Sequence, residues 1–354
     1  MELNKIYQGD SLKVLKTFPD ESIDCCITSP PYWSLRDYNI EGQLGLEPTF
    51  YEYISKLCGI FDEVKRVLKK SGTCFVNLGD TYSGNKDGKT DNKVSNYLKE
   101  NSSKIKKKAV ITEKCLCQIP SRFAIEMADR NWILRNTIIW HKKNAMPSSV
   151  LDRFTNKYEQ VFFFVKNQKY FFDGDAVRVP FETAEYSKAE YRASREERPP
   201  GIVRQREYGY NGKFKVENAE SFGSPRARNS RKYNTAENTK IRDLEEISRK
   251  FGTRRPPGND YERNPLGKNM GDVWTLVSDP FPEAHFATYP PSLVSPMIKS
   301  GCLLGGVILD PFFGAGTTGL VALQLNRKFV GIELSPEYVK IAEKRIHPYL
   351  NKLF

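Results

Sequence analysis

A pair of prolines directly after a short apolar run is the sequence feature that most restricts how this chain can fold. The run covers residues 23–27 and predicts a buried strand. Pro30 and Pro31 lack the amide hydrogen that a sheet ladder requires, so the strand must end before them. Ser29 precedes a proline and is therefore restricted to an extended conformation. Because ligands of open α/β sheets bind beyond the carboxyl ends of the strands, we predict that this stiff loop grips the amino group of a flat ring.

Predicted strands and helices alternate along most of the chain. The clearest helix covers residues 51–68, with apolar residues at steps of three and four, and is predicted to stop at Gly72. Further strands are predicted over residues 73–78, 133–140, 159–165, 306–310 and 329–333. This alternation is typical of βαβ units, so the sequence predicts an α/β fold with a mostly parallel sheet.

The charge of the chain favours a polyanionic partner. Its 354 residues include 55 Lys and Arg against 43 Asp and Glu, a net charge of +12. Residues 186–268 hold 20 of the basic and 12 of the acidic side chains, with aromatic rings interleaved among the arginines. A flexible linker could have this composition, but such a pattern is also typical of nucleic-acid surfaces. We predict a DNA-contacting insertion over residues 180–270, between the two parts of a main domain at 1–179 and 271–354.

Cysteine and histidine usage argues against a disulfide framework and against a metal site. The seven cysteines are odd in number and no secretory signal precedes them, which predicts a reducing, cytoplasmic location. Cys115 and Cys117 are too close together for the usual zinc pair, and the chain has three histidines. No apolar run approaches the ~20 residues needed to span a bilayer, so no membrane partner is predicted.

The C-terminal part contains a unit that predicts a nucleotide-like ligand. A strand ends at Asp310, a glycine-rich loop over residues 314–319 opens a helix, and the next strand ends at Glu333. Glycines after a strand let the backbone approach a ligand, and an acid in the position of Glu333 can bind two ribose hydroxyls. A carboxylate at Asp310 suits an ammonium group rather than a phosphate. S-adenosylmethionine has an ammonium, a ribose and no phosphate. That Asp310 only caps a turn is the alternative.

With both motifs in view, the chain resembles the amino-group DNA methyltransferases of the β class, which belong to restriction-modification systems. Members of this class have the catalytic half first, the target-recognition region in the middle and the cofactor half last. Ser29-Pro30-Pro31-Tyr32, the basic insertion and Asp310-Pro311-Phe312-Phe313-Gly314-Ala315-Gly316 follow that order. Further sequence patterns of the class are matched by Gly9-Asp10, by residues 138–147 and by residues 285–290. The resemblance covers nearly everything outside the insertion.

This resemblance implies a Rossmann-like sheet of seven strands, one of them antiparallel, that is completed from both ends of a circularly permuted chain. It implies S-adenosylmethionine as the cofactor, with Asp10 near the adenine and Glu333 at the ribose. The remaining cofactor-binding residues that it implies are Thr28, Asp310, Phe312, Gly314, Gly316 and Thr317. Its implied partner is double-stranded DNA, and a cognate restriction endonuclease is compatible with it. The residues that we assign to DNA contact are Trp33, Lys106, Lys107, Arg226, Arg228, Arg231, Arg254 and Arg255.

The same motifs predict how a base would be methylated. Ser29 Oγ and the Pro30 carbonyl are the candidate acceptors for two amino protons, Pro31 stiffens the loop, and Tyr32 stacks on an extruded base. Methylation of a ring carbon would need a cysteine nucleophile, which in that class follows a proline, and no cysteine here does. Within the resembled class a serine at the first motif position is associated mainly with cytosine, so we predict the 4-amino group of cytosine.

Three other functions stay open at this point. The first is the same chemistry on the 6-amino group of adenine. The second is a methyltransferase acting on RNA or on protein glutamine, which also use a Pro-Pro-Tyr-type loop. The third is a DNA-binding module without activity.

Overall fold

The computed structural model describes residues 1–35, 37, 40–83, 111–145, 148–180, 264, 266–277 and 289–350. Met1–Pro180 and Leu266–Phe354 together form one compact unit. Most of the predicted DNA-contacting residues lie outside the described residues, namely Lys106, Lys107, Arg226, Arg228, Arg231, Arg254 and Arg255. The predicted boundaries at 179 and 271, and the assignment of the insertion to target recognition, stay predictions.

Within the described residues, eight strands form one sheet in the order β1-β8-β7-β2-β3-β5-β4-β6. The strands are β1 (Lys5–Gln8), β2 (Ile23–Thr28), β3 (Leu68–Leu78), β4 (Ile133–Lys142), β5 (Tyr158–Val165), β6 (Val273–Leu276), β7 (Val307–Asp310) and β8 (Lys328–Glu333). Six α-helices and one short 3₁₀ helix (Asp175–Val177) accompany them in the described part of the chain. The α-helices are α1 (Ser11–Leu15), α2 (Phe50–Val67), α3 (Ile119–Asp129), α4 (Pro291–Gly301), α5 (Thr317–Gln324) and α6 (Pro336–Leu350).

The predicted architecture is confirmed, with one strand more than the expected seven. All neighbouring strands are parallel except β5, which is antiparallel to both β3 and β4. The additional strand is β6, which pairs with the outer side of β4 from Val273 to Leu276. No strand was predicted over these residues from the sequence.

Both ends of the chain contribute to the middle and to one edge of the sheet. β1 pairs with β8, where Gln8 lies opposite Glu333, and β2 pairs with β7, where Cys26 lies opposite Leu309. All four strands are parallel, so their carboxyl ends lie side by side at one end of the sheet. The loops that follow β1, β2, β7 and β8 are thereby brought together.

The antiparallel strand β5 begins, rather than ends, where the parallel strands have their carboxyl ends. Gln160 lies opposite both Leu78 at the end of β3 and Ile139 in β4, and Glu159 lies opposite Trp140. A side chain near the start of β5 therefore faces the same region as the loops after the parallel strands.

The helix predicted over residues 51–68 is confirmed, but its predicted end at Gly72 is wrong. Thr49 caps the first turn by accepting a hydrogen bond from the Glu52 amide at 3.2 Å, and the helix ends at Val67. Leu68 has extended backbone angles and starts β3 at once, opposite Ile23. The residues from Leu68 to Gly72 therefore lie within β3, where the pair Ile23 and Leu68 is followed by an irregularity before Cys25 pairs with Thr73.

Two apolar clusters cover the two faces of the sheet. One packs α2 and α3 against it, with Phe61 and Phe123 in edge contact at 5.3 Å between ring centroids. The other packs α4, α5 and α6 against it and contains the stacked pair Phe75 and Phe163, at 4.6 Å. Among the described residues, no helix is both long enough and apolar enough to cross a membrane.

The second phenylalanine of Asp310-Pro311-Phe312-Phe313 is a core residue. The Phe313 ring is 3% exposed, stacks on Phe329 at 5.3 Å and lies directly over Gly331 of β8. A Cβ on Gly331 would lie 2.5 Å from Cδ2 of that ring. The Phe313 ring can therefore occupy this position because residue 331 has no side chain.

We expect Gly331→Ala to lower the free energy of unfolding by about 1–3 kcal/mol, because the added methyl overpacks the Phe313 ring. Urea denaturation followed by circular dichroism measures the change. Gly271→Ala is the matched control, since a Cβ at Gly271 would have no atom within 4 Å. Equal midpoints for Gly331→Ala and the unmodified protein would contradict the packing described for Phe313.

Candidate active site

A cavity of about 890 Å³ lies where the carboxyl ends of the parallel strands meet. Its volume is typical of pockets for small molecules and cofactors. Its wall includes nine of the residues predicted to act in catalysis or cofactor binding, namely Asp10, Ser29, Pro30, Pro31, Tyr32, Phe312, Gly314, Thr317 and Glu333. Two motifs nearly 300 residues apart in sequence therefore face one space.

Glu333 provides hydrogen-bond acceptors at one end of the cavity. Its Oε1 accepts from the Ser335 amide at 2.8 Å and its Oε2 from the Gly314 amide at 2.7 Å. Burial raises the pKa of the Glu333 carboxyl above its ordinary value, and these two amide hydrogen bonds oppose the rise. Each carboxylate oxygen has a second lone pair, so the pair can still accept from two adjacent hydroxyls, as the ribose prediction requires.

Asp10 and Phe312 lie on the same wall as Glu333. Asp10 caps α1, because its Oδ1 accepts from the Lys13 amide at 2.9 Å. The Ser11 hydroxyl donates to the Pro311 carbonyl at 2.5 Å, which ties the start of α1 to the loop after β7. Gly314 lines the cavity too, and a Cβ there would meet no atom within 4 Å. A carboxylate pair, an aromatic ring and open space over a glycine fit an adenosine group.

Asp310 is buried directly behind residues that line the cavity, and its assignment to cofactor binding stays a prediction. It is 1% exposed, and its Oδ1 accepts from Thr28 Oγ1 at 2.6 Å and from the Phe312 amide at 3.0 Å. Its Oδ2 accepts from Thr318 Oγ1 at 2.6 Å and from the Tyr289 hydroxyl at 3.0 Å. The Asp310 carboxylate therefore connects several segments of the chain behind the cavity wall. The alternative stated above, that Asp310 only caps a turn, would need the bond to the Phe312 amide alone.

Burial raises the pKa of the Asp310 carboxyl above its ordinary value, and the hydrogen bonds from Thr28 and Thr318 oppose that rise. Burial also raises the pKa of Tyr289 well above its ordinary value, with the Asp310 carboxylate as a further cause. Tyr289 itself lines the cavity. Tyr289 belongs to the stretch 285–290 that matches the resembled class, and residues 285–288 lie outside the described residues.

Thr28 and Gly316 also lie behind the cavity wall rather than on it. Thr28 is 1% exposed and is committed to Asp310. Gly316 precedes α5 with φ +79°, and a Cβ there would lie 2.9 Å from Cβ of Ala342. Both residues shape the site from behind its wall, and their assignment to cofactor binding stays a prediction.

The loop Ser29–Tyr32 forms the opposite end of the cavity. The Pro31 carbonyl accepts from the Tyr53 hydroxyl of α2 at 2.8 Å, which anchors the loop to the core. The Tyr32 ring lies against Gly79, where a Cβ would come within 2.5 Å of its Cε2. The Tyr32 hydroxyl donates to Glu159 Oε2 at 2.8 Å, and Ser29 Oγ lies 3.4 Å from the same hydroxyl.

The cavity residues that were not identified from the sequence include a connected group of four, namely Asn77, Trp140, Lys142 and Glu159. Asn77 Nδ2 donates to Glu159 Oε2 at 3.0 Å, and Lys142 forms an ion pair with Glu159. The Lys142 ammonium also lies 4.5 Å from the centroid of the Trp140 ring. These residues sit within strands at the end of a sheet, and the available signal was the unusual presence of Asn77 in an otherwise apolar run.

The prediction that Trp33 contacts DNA is wrong. Its side chain is 4% exposed and lies edge-on to Phe50, at 5.7 Å between ring centroids. The indole Nε1 donates to the Glu47 carbonyl at 2.9 Å. An enclosed indole with its hydrogen bond satisfied is a core residue.

The part of the chain that the structure describes contains no group of three or more His, Cys, Asp or Glu side chains placed to hold a metal ion. The polar side chains that line the cavity carry hydroxyls, amides, carboxylates and the ammonium groups of Lys56 and Lys142.

Known proteins resemble this chain over almost its whole length. The model of a family described as DNA methylase, which covers N6 and N4 methyltransferases, matches residues 23–344. The type II methyltransferase M.XycI of Xanthomonas campestris pv. cyanopsidis is 34% identical over 342 residues, which are 96% of this chain and 87% of that protein.

Two solved structures share the fold. The PvuII DNA methyltransferase, described as cytosine-N4-specific, matches 99% of this chain and 93% of its own with a TM-score of 0.53 at 20% identity. A protein of Thermus thermophilus described as a DNA modification methylase, solved with S-adenosyl-L-methionine, matches 98% and 94% with a TM-score of 0.52 at 18% identity.

We expect Glu333→Ala to weaken binding of S-adenosylmethionine by about 10- to 100-fold, because hydrogen bonds to a charged group contribute about 1.5–3 kcal/mol each. Isothermal titration calorimetry with the cofactor measures it. Glu337→Ala, at an exposed position in α6, is the matched control. An unchanged affinity for Glu333→Ala would contradict the ribose role.

Proposed function

We propose that this chain, which belongs to the DNA methylase family, transfers the methyl group of S-adenosylmethionine to the 4-amino group of a cytosine in duplex DNA. Membership of the family establishes the coarser activity, methylation of an amino group in DNA with S-adenosylmethionine as donor. The choice of cytosine is the proposed part. The observation that supports it is the position of Ser29. Its loop lines the same cavity as the predicted cofactor-binding residues.

The chemistry requires acceptors for amino protons. An exocyclic amino nitrogen is a poor nucleophile, because its lone pair is delocalised into the ring. Acceptors aimed at both amino hydrogens favour a tetrahedral nitrogen and stabilise the positive charge that develops on it. Ser29 Oγ and the Pro30 carbonyl are the two acceptors that the loop offers, and the Tyr53 hydroxyl bonded to Pro31 holds the loop rigid.

A base inside a duplex cannot reach this cavity, so the target nucleotide has to leave the stack. The Tyr32 ring offers a flat apolar surface that replaces the lost stacking neighbours. Its position is fixed on one side by Gly79 and at its hydroxyl by Glu159. Tyr32 therefore holds the base in the plane in which Ser29 and Pro30 can reach the amino group.

The bound cofactor supplies an electrophilic methyl group on a sulfonium. On the protein side, Glu333 and Asp10 hold the nucleoside part, and Phe312 with Gly314 forms the adjoining wall. Because no residue has to form a covalent bond to the base, positioning of the amino nitrogen is the main catalytic contribution.

Two features support cytosine over adenine. In the amino-group DNA methyltransferases that this chain resembles, a serine at the position of Ser29 is associated mainly with cytosine, and an aspartate or asparagine with adenine. Cytosine presents two acceptors, N3 and O2, on the same edge as its amino group, and Lys142 places an ammonium donor on the cavity wall. Adenine N6 is the second candidate, because the matching family covers both N6 and N4 methyltransferases.

The base is identified by treating unmethylated plasmid DNA with protein and cofactor, digesting it to nucleosides and separating them by mass spectrometry. N4-methylcytosine is the expected product. N6-methyladenine would favour the second candidate, and methyl transfer to RNA or protein alone would contradict a DNA substrate. Sequencing that resolves methylated positions gives the recognition sequence from the same sample. A restriction endonuclease with that recognition sequence is the expected partner enzyme.

We further propose that the insertion at 180–270 contacts the DNA. Its excess of arginine and lysine predicts that affinity for duplex DNA falls steeply with salt, because phosphate contacts release counterions. Fluorescence anisotropy with a labelled duplex across a salt series measures the slope. Replacing Arg254 and Arg255 by alanine is expected to reduce that slope by about two, and a flat profile for the unmodified protein would contradict a basic DNA surface.

We expect Ser29→Ala to lower the rate of methyl transfer by about 100- to 1000-fold, because one of the two amino acceptors is lost. Tyr32→Ala should also lower the rate strongly, while both variants bind the cofactor normally. Transfer of labelled methyl groups to DNA and calorimetry with the cofactor give the two quantities. Ser121→Ala, at a half-buried position in the first turn of α3 outside the cavity wall, is the control. Near-normal transfer by both site variants would place the reaction elsewhere.

A further inference from the structure

We propose that Glu159 is a positioning residue that makes Ser29 a hydrogen-bond acceptor toward the substrate amino group. This inference rests on the proposed function, since it concerns the same amino group. It assigns a role to an antiparallel strand that carries neither of the two sequence motifs.

Glu159 gathers three donors from three elements of the site. Its Oε2 accepts from the Tyr32 hydroxyl at 2.8 Å and from Asn77 Nδ2 at 3.0 Å, and its Oε1 pairs with the Lys142 ammonium. The side chain is 17% exposed and lines the cavity. A carboxylate with three donors around it is held in one orientation, and it fixes the Tyr32 hydroxyl in turn.

The direction of the hydrogen bonds follows from what each group can do. A carboxylate accepts and cannot donate, so the single hydrogen of the Tyr32 hydroxyl is given to Glu159. The hydrogen between Ser29 Oγ and the Tyr32 oxygen, 3.4 Å apart, must then come from Ser29. With its own hydrogen turned toward Tyr32, Ser29 is left with lone pairs for another donor. An amino group is such a donor.

The Tyr32 hydroxyl remains protonated in this arrangement. Burial, with the neighbouring Glu159 carboxylate as the next cause, raises the pKa of Tyr32 well above its ordinary value. The Tyr32 ring cannot swing toward β3, because Gly79 already lies against it. The chain from Ser29 through Tyr32 to Glu159 therefore has one direction.

A serine at this position needs such an orienting group. A hydroxyl that pointed its hydrogen at the substrate would oppose the amino hydrogens and would withdraw an acceptor that the reaction needs. Glu159 prevents this orientation of the Ser29 hydroxyl. It acts through Tyr32, which is hydrogen-bonded to both residues.

Glu159→Gln tests the proposal, because glutamine has the same shape but its amide nitrogen can donate to Tyr32 and reverse the chain. We expect the single-turnover rate of DNA methylation to fall about 10-fold or more, a change of about 1.4 kcal/mol in the barrier. The KM for DNA and the affinity for S-adenosylmethionine should stay within about twofold, since a positioning effect on the chemical step lowers the rate without weakening binding.

The same substitution in a Tyr32→Phe background separates positioning from a merely structural role. Tyr32→Phe removes the hydroxyl through which Glu159 acts, so Glu159→Gln should then cause little further loss, a non-additive double-mutant cycle. Tyr32→Phe alone should lower the rate to a similar extent, and it serves as the deciding variant if Glu159→Gln does not fold.

Glu126→Gln is the matched control, because it also removes the partner of an ion pair, Arg130 at 2.9 Å, but lies on α3 outside the cavity wall. It should keep the rate of the unmodified protein. A normal rate for Glu159→Gln, or an equal loss with and without the Tyr32 hydroxyl, would overturn the proposal. Absence of DNA methylation by the unmodified protein would instead overturn the proposed function.

Discussion

The four hydrogen bonds to the buried Asp310 carboxylate are the interaction on which the arrangement of the site depends. A charge enclosed in a protein core costs several kcal/mol unless it is paired or fully hydrogen-bonded. Here the donors come from the end of β2, from Tyr289 shortly before α4 and from the first turn of α5, together with the backbone of its own loop. The requirement to satisfy one carboxylate thus brings the catalytic and cofactor loops to fixed positions relative to each other.

The two motif loops could be predicted from the sequence, because each combines a strand end with residues that only a loop accommodates. Pro30 and Pro31 forbid continued pairing, and the glycines after Asp310 allow a close turn. What those loops face could not be predicted residue by residue. The burial of Asp310 depends on Thr28 and Tyr289, whose distance along the chain hides the contact.

The errors have a common physical origin in partners that no local pattern reveals. Trp33 has an aromatic side chain of the kind that stacks on bases. It is buried, however, where it lies against the Phe50 ring and donates to the Glu47 carbonyl. Glu159 was not identified, because an acid at the start of a strand usually indicates a solvated end. The reversed direction of β5 places that start at the active edge, where Tyr32, Asn77 and Lys142 surround it.

The pairing of β1 with β8 and of β2 with β7 has a consequence for how the protein is made. As the ribosome releases the chain from its first residue onward, β1 and β2 emerge long before β7 and β8, the strands that cover them. Such long-range pairing slows folding, and uncovered strand edges are prone to aggregate. A growing chain therefore has no complete cavity, and the first methyl transfer must wait until the closing strands have been translated and have docked.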